Sequence, residues 1–212
     1  MDLMGAVIGL IPVILSLSVH EWAHAWSASR LGDDTAARAG RLTLNPLAHI
    51  DPFGTVVLPL ILVLSNIPAF GWAKPVPIDP SRFRRDVSMG RGMALTASAG
   101  PISNIGLAVL GTLLLGLLYR AGVADGAARS LLIDVVLLNV VLGLFNLIPI
   151  PPLDGSRVVA WILPPRMADA WRAVERFAPI FLIVILMFGG RLIRGPVNVV
   201  VGLLERLLNA IV

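Results

Sequence analysis

The chain has 212 residues, of which 57% are hydrophobic and 14% charged, with a mean hydropathy of +0.86 and a formal net charge of +4. A soluble domain carries about a quarter charged residues, so the composition excludes a water-soluble fold and points to one multi-helix domain in a lipid bilayer. The pI near 10.9 does not signal nucleic acid, because the basic residues are scattered through loops between apolar segments. With no cysteine, disulfides and thiolate metal ligands are excluded.

In chain order, apolar segments of helical length fall at about residues 3–28, 55–72, 93–118, 131–150, 177–190 and 196–212. The first lacks a basic start and a small-residue cleavage site, so it reads as a retained span and not a signal peptide. The second is short and interrupted by Pro59, Asn66 and Pro68. The third is rich in small residues, including Ala97, Gly100, Gly106 and Gly111, as close helix packing in lipid requires. The fourth runs into a proline-rich break. Of the last two, 177–190 is short, and Glu205 and Arg206 make 196–212 amphipathic.

His20-Glu21-Trp22-Ala23-His24 lies inside the first of these apolar segments. A charged group at a helix centre costs roughly 2.5–3.5 kcal/mol on insertion scales, so ionisable residues at such depth are functional and paired. Histidines four residues apart share one helical face, with the glutamate beside them, which is the geometry of a zinc site with its own general base. Catalytic zinc takes three protein ligands and leaves one position open. Asp154 is the best candidate for the third. It follows a 20-residue apolar run, in Asn146-Leu147-Ile148-Pro149-Ile150-Pro151-Pro152-Leu153-Asp154-Gly155, where prolines break the helix and aim a side chain back into the protein.

His20-Glu21-x-x-His24, then Ala99-Gly100-Pro101-Ile102-Ser103-Asn104, then Asn146-x-x-Pro149-x-x-x-Leu153-Asp154-Gly155, resembles the site-2 protease family of intramembrane zinc metalloproteases, peptidase family M50. Gly40-Arg41-Leu42-Thr43-Leu44-Asn45-Pro46 and Gly71-Trp72-Ala73-Lys74-Pro75-Val76-Pro77 resemble its compact bacterial and archaeal branch, without PDZ or CBS modules. The resemblance implies an all-α, multi-pass integral membrane protein. Its three-helix catalytic core would comprise an HExxH, an AGP and an LDG helix, joined by a re-entrant segment and two further C-terminal apolar helices. Residues 1–212 would form a single peptidase domain, with the core at about 1–160 and accessory helices at about 165–212. His20, His24 and Asp154 would bind one Zn²⁺, Glu21 would be the general base, and Asn146 would hold substrate backbone or the developing oxyanion. Expected partners are transmembrane protein substrates and the bilayer, with room for a homo-oligomer or a separate regulatory protein, and no nucleic acid.

Ligands must meet at one depth, so the helices that end near His24 and Asn146 must run the same way. Residues 55–72 are therefore expected to re-enter, or the stretch after them to return. Six full crossings divide the basic residues almost evenly between the two faces. A re-entrant 55–72 leaves only Arg120, Arg129, Arg191 and Arg194 opposite the others, which satisfies the positive-inside rule. The N-terminus would lie outside a prokaryotic plasma membrane, with the zinc near its cytoplasmic side.

Other polar residues have plainer readings. His49 reads as an interfacial loop residue, or alternatively a substitute ligand or gate. Ser103 and Asn104 read as interhelical hydrogen bonders. Arg82–Arg85 reads as a headgroup anchor, and Trp22, Trp26 and Trp72 as interfacial packing. The proline-extended stretch Trp72–Pro80 is expected to border the cleft. Two other functions compete: a membrane metal-ion transporter or channel, and a non-catalytic scaffold that binds helices. Neither accounts for a glutamate beside the first histidine.

Overall fold

The structure, a computed structural model, describes residues 3–65, 71–123 and 126–212. Among these it is all-α, as expected. Helix α1 (Leu3–Arg30) stops where Gly32 adopts a φ of +109°, left-handed backbone that favours glycine. The N–H groups of Gly32 and Asp33 there fold back onto the carbonyls of Ser29 and Ala28 at 3.1 and 3.0 Å. This turn buries Asp33 completely. One of its carboxylate oxygens accepts from the N–H and hydroxyl of Thr35, opening the short helix α2 (Thr35–Arg38). The other accepts from the N–H of Asp79 at 2.8 Å.

A π-helical turn (Pro52–Val57), capped by the Asp51 carboxylate, leads into α3 (Leu58–Leu64). Residues 66–70, with Asn66 and Pro68, lie outside the described residues. When the chain resumes it is back where it left: Trp72 donates its N–H to the Gly54 carbonyl (3.1 Å), and the Thr55 hydroxyl donates to the Trp72 carbonyl (2.7 Å). The segment thus returns to its own starting level, the path that equal ligand depth requires. From there residues 71–79 form a non-helical strap pinned along its length. Lys74 donates to the His49 carbonyl at 2.9 Å, and the Arg41 guanidinium donates to the Lys74 carbonyl. The far end is held by Asp33 and by Arg82, which pairs with Asp34 at 3.0 Å. Arg82 therefore has a carboxylate partner within the protein.

Helix α4 (Met89–Arg120) is the central one, capped by Ser88, and α5 (Gly126–Asn146) follows it. Small residues let the neighbours approach closely: a Cβ on Gly111 would meet Val136 of α5 at 2.8 Å. His20 and His24 of α1 face Asn104 and Thr96 of α4 in reverse order, and Ser16 of α1 meets Asn139 of α5. So α1 and α4 run antiparallel, and α1 and α5 run the same way.

After α5 the chain doubles back so tightly that a Cβ on Gly155 would lie 2.3 Å from the Leu147 carbonyl. It then forms α6 (Asp154–Ile162) and the amphipathic α7 (Ala168–Glu175), two short helices that apolar segments alone did not signal. The two C-terminal helices expected at 177–190 and 196–212 are one continuous helix, α8 (Ala178–Ile211), with Pro196 inside it. Packing overrides the proline: Ile185 and Ile193 cluster with Ile148 and Leu153, while Val197 and Leu204 pack on Ala108 and Val140. Thus α8 runs antiparallel to α5, and Arg191 and Arg194 lie in a helix towards the Asp154 end and not in a loop on the opposite face. Met89–Arg120, Ala128–Asn146 and Met187–Ile211 are each long and apolar enough to cross a membrane.

Asp33→Ala would strip three donors of their acceptor, at about 1–3 kcal/mol for each buried group left unsatisfied. The expected result is a lower Tm in detergent and faster proteolysis within residues 71–85 than in wild type.

Candidate metal centre

His20, His24 and Asp154 converge although they come from α1 and from the first turn of α6. The His20 and His24 Nε2 atoms are 3.0 Å apart, and they lie 3.1 and 3.4 Å from Asp154 Oδ2. Four ligands at tetrahedral zinc, with bonds of about 2.0–2.1 Å, sit about 3.3–3.4 Å from one another. The triangle is of that size.

The tautomers follow from the outer bonds. His20 donates from Nδ1 to Asn104 Oδ1 (2.6 Å), and His24 donates from Nδ1 to the Thr96 carbonyl (2.7 Å). Both Nε2 lone pairs therefore point at each other and at Asp154 Oδ2, which is buried and receives no hydrogen bond. Three converging acceptors repel one another unless a cation lies between them. Gly100 of α4 leaves the room: a Cβ there would lie 2.5 and 2.6 Å from the two Nε2 atoms. The donor set, the spacing and the glycine all fit a small divalent metal, and these three residues form the metal-capable cluster among the described residues.

The support behind His20 closes on itself. Asn104 Nδ2 donates to Asn139 Oδ1 (2.7 Å), and Asn139 Nδ2 donates to Ser16 Oγ (2.8 Å), one turn before His20 on α1. His20, Asn104, Asn139 and Ser16 are all buried. The ring ties α1, α4 and α5 together at the depth of the cluster. Asn104 thus makes the interhelical bonds expected of it and orients His20 as well. Asn139 was not singled out from sequence, although it is one of two amides in the apolar run 131–150, the other being Asn146.

Glu21 sits beside His20 and is not part of the triangle. Its Oε2 accepts from the Val76 N–H of the strap at 2.9 Å. A cavity of about 310 Å³ opens onto it, lined by His20, Glu21, His24, Asn146 and Asp154 together with Pro75, Val76, Ile78, Met93, Ala97 and Arg157. Every site residue expected from the sequence therefore faces one space. The strap borders that space, as its prolines suggested. Asn146 bonds one N–H to the Leu142 carbonyl (3.1 Å) and is among the residues that line the cavity. His49 stands apart: it is buried, with Nε2 on the Thr43 carbonyl at 2.8 Å, and it shapes the loop under the strap.

Fold and centre define a class: multi-pass membrane proteins in which an HExxH helix and a distant aspartate enclose a buried metal site. The Peptidase family M50 model matches residues 117–188. Curated proteins that match carry names beginning "Putative zinc metalloprotease", among them the following two. YwhC of Bacillus subtilis (strain 168) is 41% identical over 184 residues, covering 84% of this chain and 78% of that one. Rip2 of Mycolicibacterium smegmatis (strain ATCC 700084 / mc(2)155) is 33% identical over 177 residues, covering 82% of this chain and 64% of Rip2. No solved structure gives a significant match. The chain belongs to peptidase family M50.

Two substitutions test the centre. Gly100→Ala would put a methyl group into the space between the imidazoles, so zinc stoichiometry of the purified protein is expected to fall well below that of wild type. Asn139→Leu would leave Asn104 without its acceptor; an outer-shell loss of this kind weakens metal binding about 10–100-fold, read by competition with a chelating dye.

Proposed function

We propose that this protein is a zinc-dependent intramembrane endopeptidase that hydrolyses peptide bonds within or near the transmembrane segments of other proteins. The observation that carries the reading is the three-acceptor triangle with Glu21 beside it, all facing one cavity among membrane helices. His20, His24 and Asp154 would hold one Zn²⁺. Bound there, the metal supplies Lewis acidity, which acidifies water and polarises the scissile carbonyl. Glu21 takes the proton of the attacking water and passes it to the leaving amine. Asn146 donates to substrate backbone or to the developing oxyanion. The strap flanks the extended substrate. Residues 72, 74 and 76 already use their N–H groups inside the protein, and Pro75 and Pro77 have none. Along this stretch, then, the strap offers substrate mainly carbonyl acceptors.

The chain would reside in a prokaryotic plasma membrane with the centre towards the cytoplasm. Because α8 is a single helix beginning on the Asp154 side, Arg191 and Arg194 leave the far face. Arg120 and Arg129, at the end of α4 and the start of α5, remain there and are joined by Arg206 near the end of α8, still a stronger positive-inside bias than six separate segments provide. Substrates are other transmembrane proteins, and a second copy or a separate regulator would control access.

Glu21→Gln keeps its hydrogen-bond geometry but cannot accept the proton. When the chain is co-expressed with a panel of single-span proteins, cleavage by this variant is expected to drop by about 10²–10⁴-fold with zinc still bound. Metal flux through liposomes that survives the substitution, with no protein cut by wild type, would instead favour the transporter.

A further inference from the structure

One charged side chain that lines the cavity takes no part in the chemistry proposed above. Arg157 is the sole lysine or arginine there, beside the carboxylates of Glu21 and Asp154. Among the described residues it pairs with neither of them. Its Nη1 donates instead to Glu175 Oε1, at the end of α7, at 3.0 Å. Glu21 is taken by the Val76 N–H, and Asp154 Oδ2 lies against the imidazoles, so both cavity carboxylates are committed elsewhere. A guanidinium keeps its charge in proteins and carries five N–H donors in a planar fork. One bond to Glu175 leaves most of that fork open.

The two ends of this pair are held differently. Arg157 stands on α6, which packs along α4 and is seated by the buried Leu153, Gly155 and Ser156. Glu175 closes α7, a helix with no buried residue, and the side chains of the pair are 51% and 29% exposed. An exposed ion pair is weak and screened by salt, so another carboxylate can displace Glu175 while Arg157 stays in place. Asp154 and Arg157, three residues apart on α6, share a helix face and are separated by about 4.5 Å along the axis. An extended chain advances about 3.3 Å per residue. A substrate side chain within about three residues of the bond presented to Glu21 is therefore within reach of the guanidinium.

We propose that Arg157 determines specificity: its guanidinium receives an acidic side chain of the substrate close to the scissile bond, in the place that Glu175 holds in this structure. The proposal rests on the endopeptidase reading and names the substrates that such an enzyme prefers. Charge supports it first. With a divalent metal on Asp154 and two neutral imidazoles, that centre and Glu21 cancel, and Arg157 gives the cavity its net positive charge. Chemical kind supports it second, because Glu175 already shows a carboxylate seated on this guanidinium at hydrogen-bond distance. Substrates with a lysine or arginine at the same place meet like charge and are rejected.

The test uses the full chain in liposomes with a single-span reporter made as a series, each residue near the membrane boundary in turn Asp, Asn or Lys. At the best-placed position wild type is expected to cut the Asp form about tenfold faster than the Lys form in kcat/KM, with the Asn form between them. Arg157→Glu combined with Glu175→Arg keeps the ion pair with its partners exchanged, and is expected to reverse that order. A pair that merely fastens α7 to α6 would leave the order as in wild type. That result would overturn the proposal, as would equal rates across the wild-type series. Arg157→Gln is expected to bring the three forms within about twofold of one another through KM, with zinc content unchanged; a retained preference would overturn the proposal as well. Inhibition by the amino-terminal product that Arg157→Gln relieves, with no preference in the series, would assign the guanidinium to the product's new carboxylate instead. In the Glu21→Gln background, a photo-crosslinker in place of Met93 should capture the Asp form above the Lys form. That preference in a chain whose wild type cuts nothing would keep the subsite and remove the endopeptidase reading, so the two claims fail separately.

Discussion

Three lone pairs aimed at one point, deep in an apolar bundle, are the constraint around which the chain is arranged. Two imidazole nitrogens and a carboxylate oxygen lie 3.0–3.4 Å apart with no donor between them, an arrangement that would fly apart unless its parts were held from behind. The holding is done in two ways. Outer hydrogen bonds donated to Asn104 Oδ1 and to the Thr96 carbonyl fix each imidazole, and a ring through Asn139 and Ser16 anchors that support to three helices. Gly100 keeps the adjoining helix face bare. The antiparallel course of α4 between two co-directional helices follows from the same demand for equal depth.

The excursion through α3 is the topological counterpart. Had the chain crossed there, α4 would run with α1, and Asp154 would emerge far from His20. Instead the backbone of Trp72 pairs with Gly54, and the strap that follows can reach Glu21. One decision of the chain therefore serves two purposes: it sets the direction of α4 and delivers a main-chain donor to Glu21. The fully buried Asp33 and the pairing of Arg82 hold the strap's far end, so the position of Val76 is determined from both sides.

Much of this was legible beforehand, for physical reasons. Ionisable groups are so costly in lipid that His20, Glu21, His24 and Asp154 stood out from their surroundings, and their joint use required matching depths, which constrained topology. What escaped was of another kind. Asn139 is neutral, and a single amide in a helix is satisfied in too many ways for its partner to be read from spacing. Thr96 acts through its carbonyl, and Val76 through its N–H, and backbone groups carry no sequence signal at all. The merging of the last two segments into α8 escaped because a proline in a helix weakens it locally, while the tertiary packing of Ile185, Ile193, Val197 and Leu204 decides the outcome. Short α6 and α7 gave no long apolar run to detect.

The bond from Val76 to Glu21 has a consequence for how such a site can diversify. Glu21 is steadied by a peptide N–H, which every residue except proline possesses, and not by a side chain that substitution would remove. Val76 lines the cavity while its side chain packs with Ala25, Ala36, Leu42 and Ile78, so a change of side chain there is felt in that packing while the peptide contact to the carboxylate persists. Packing and the hold on the carboxylate are thereby written on different atoms of the same residue, and the first can change without losing the second.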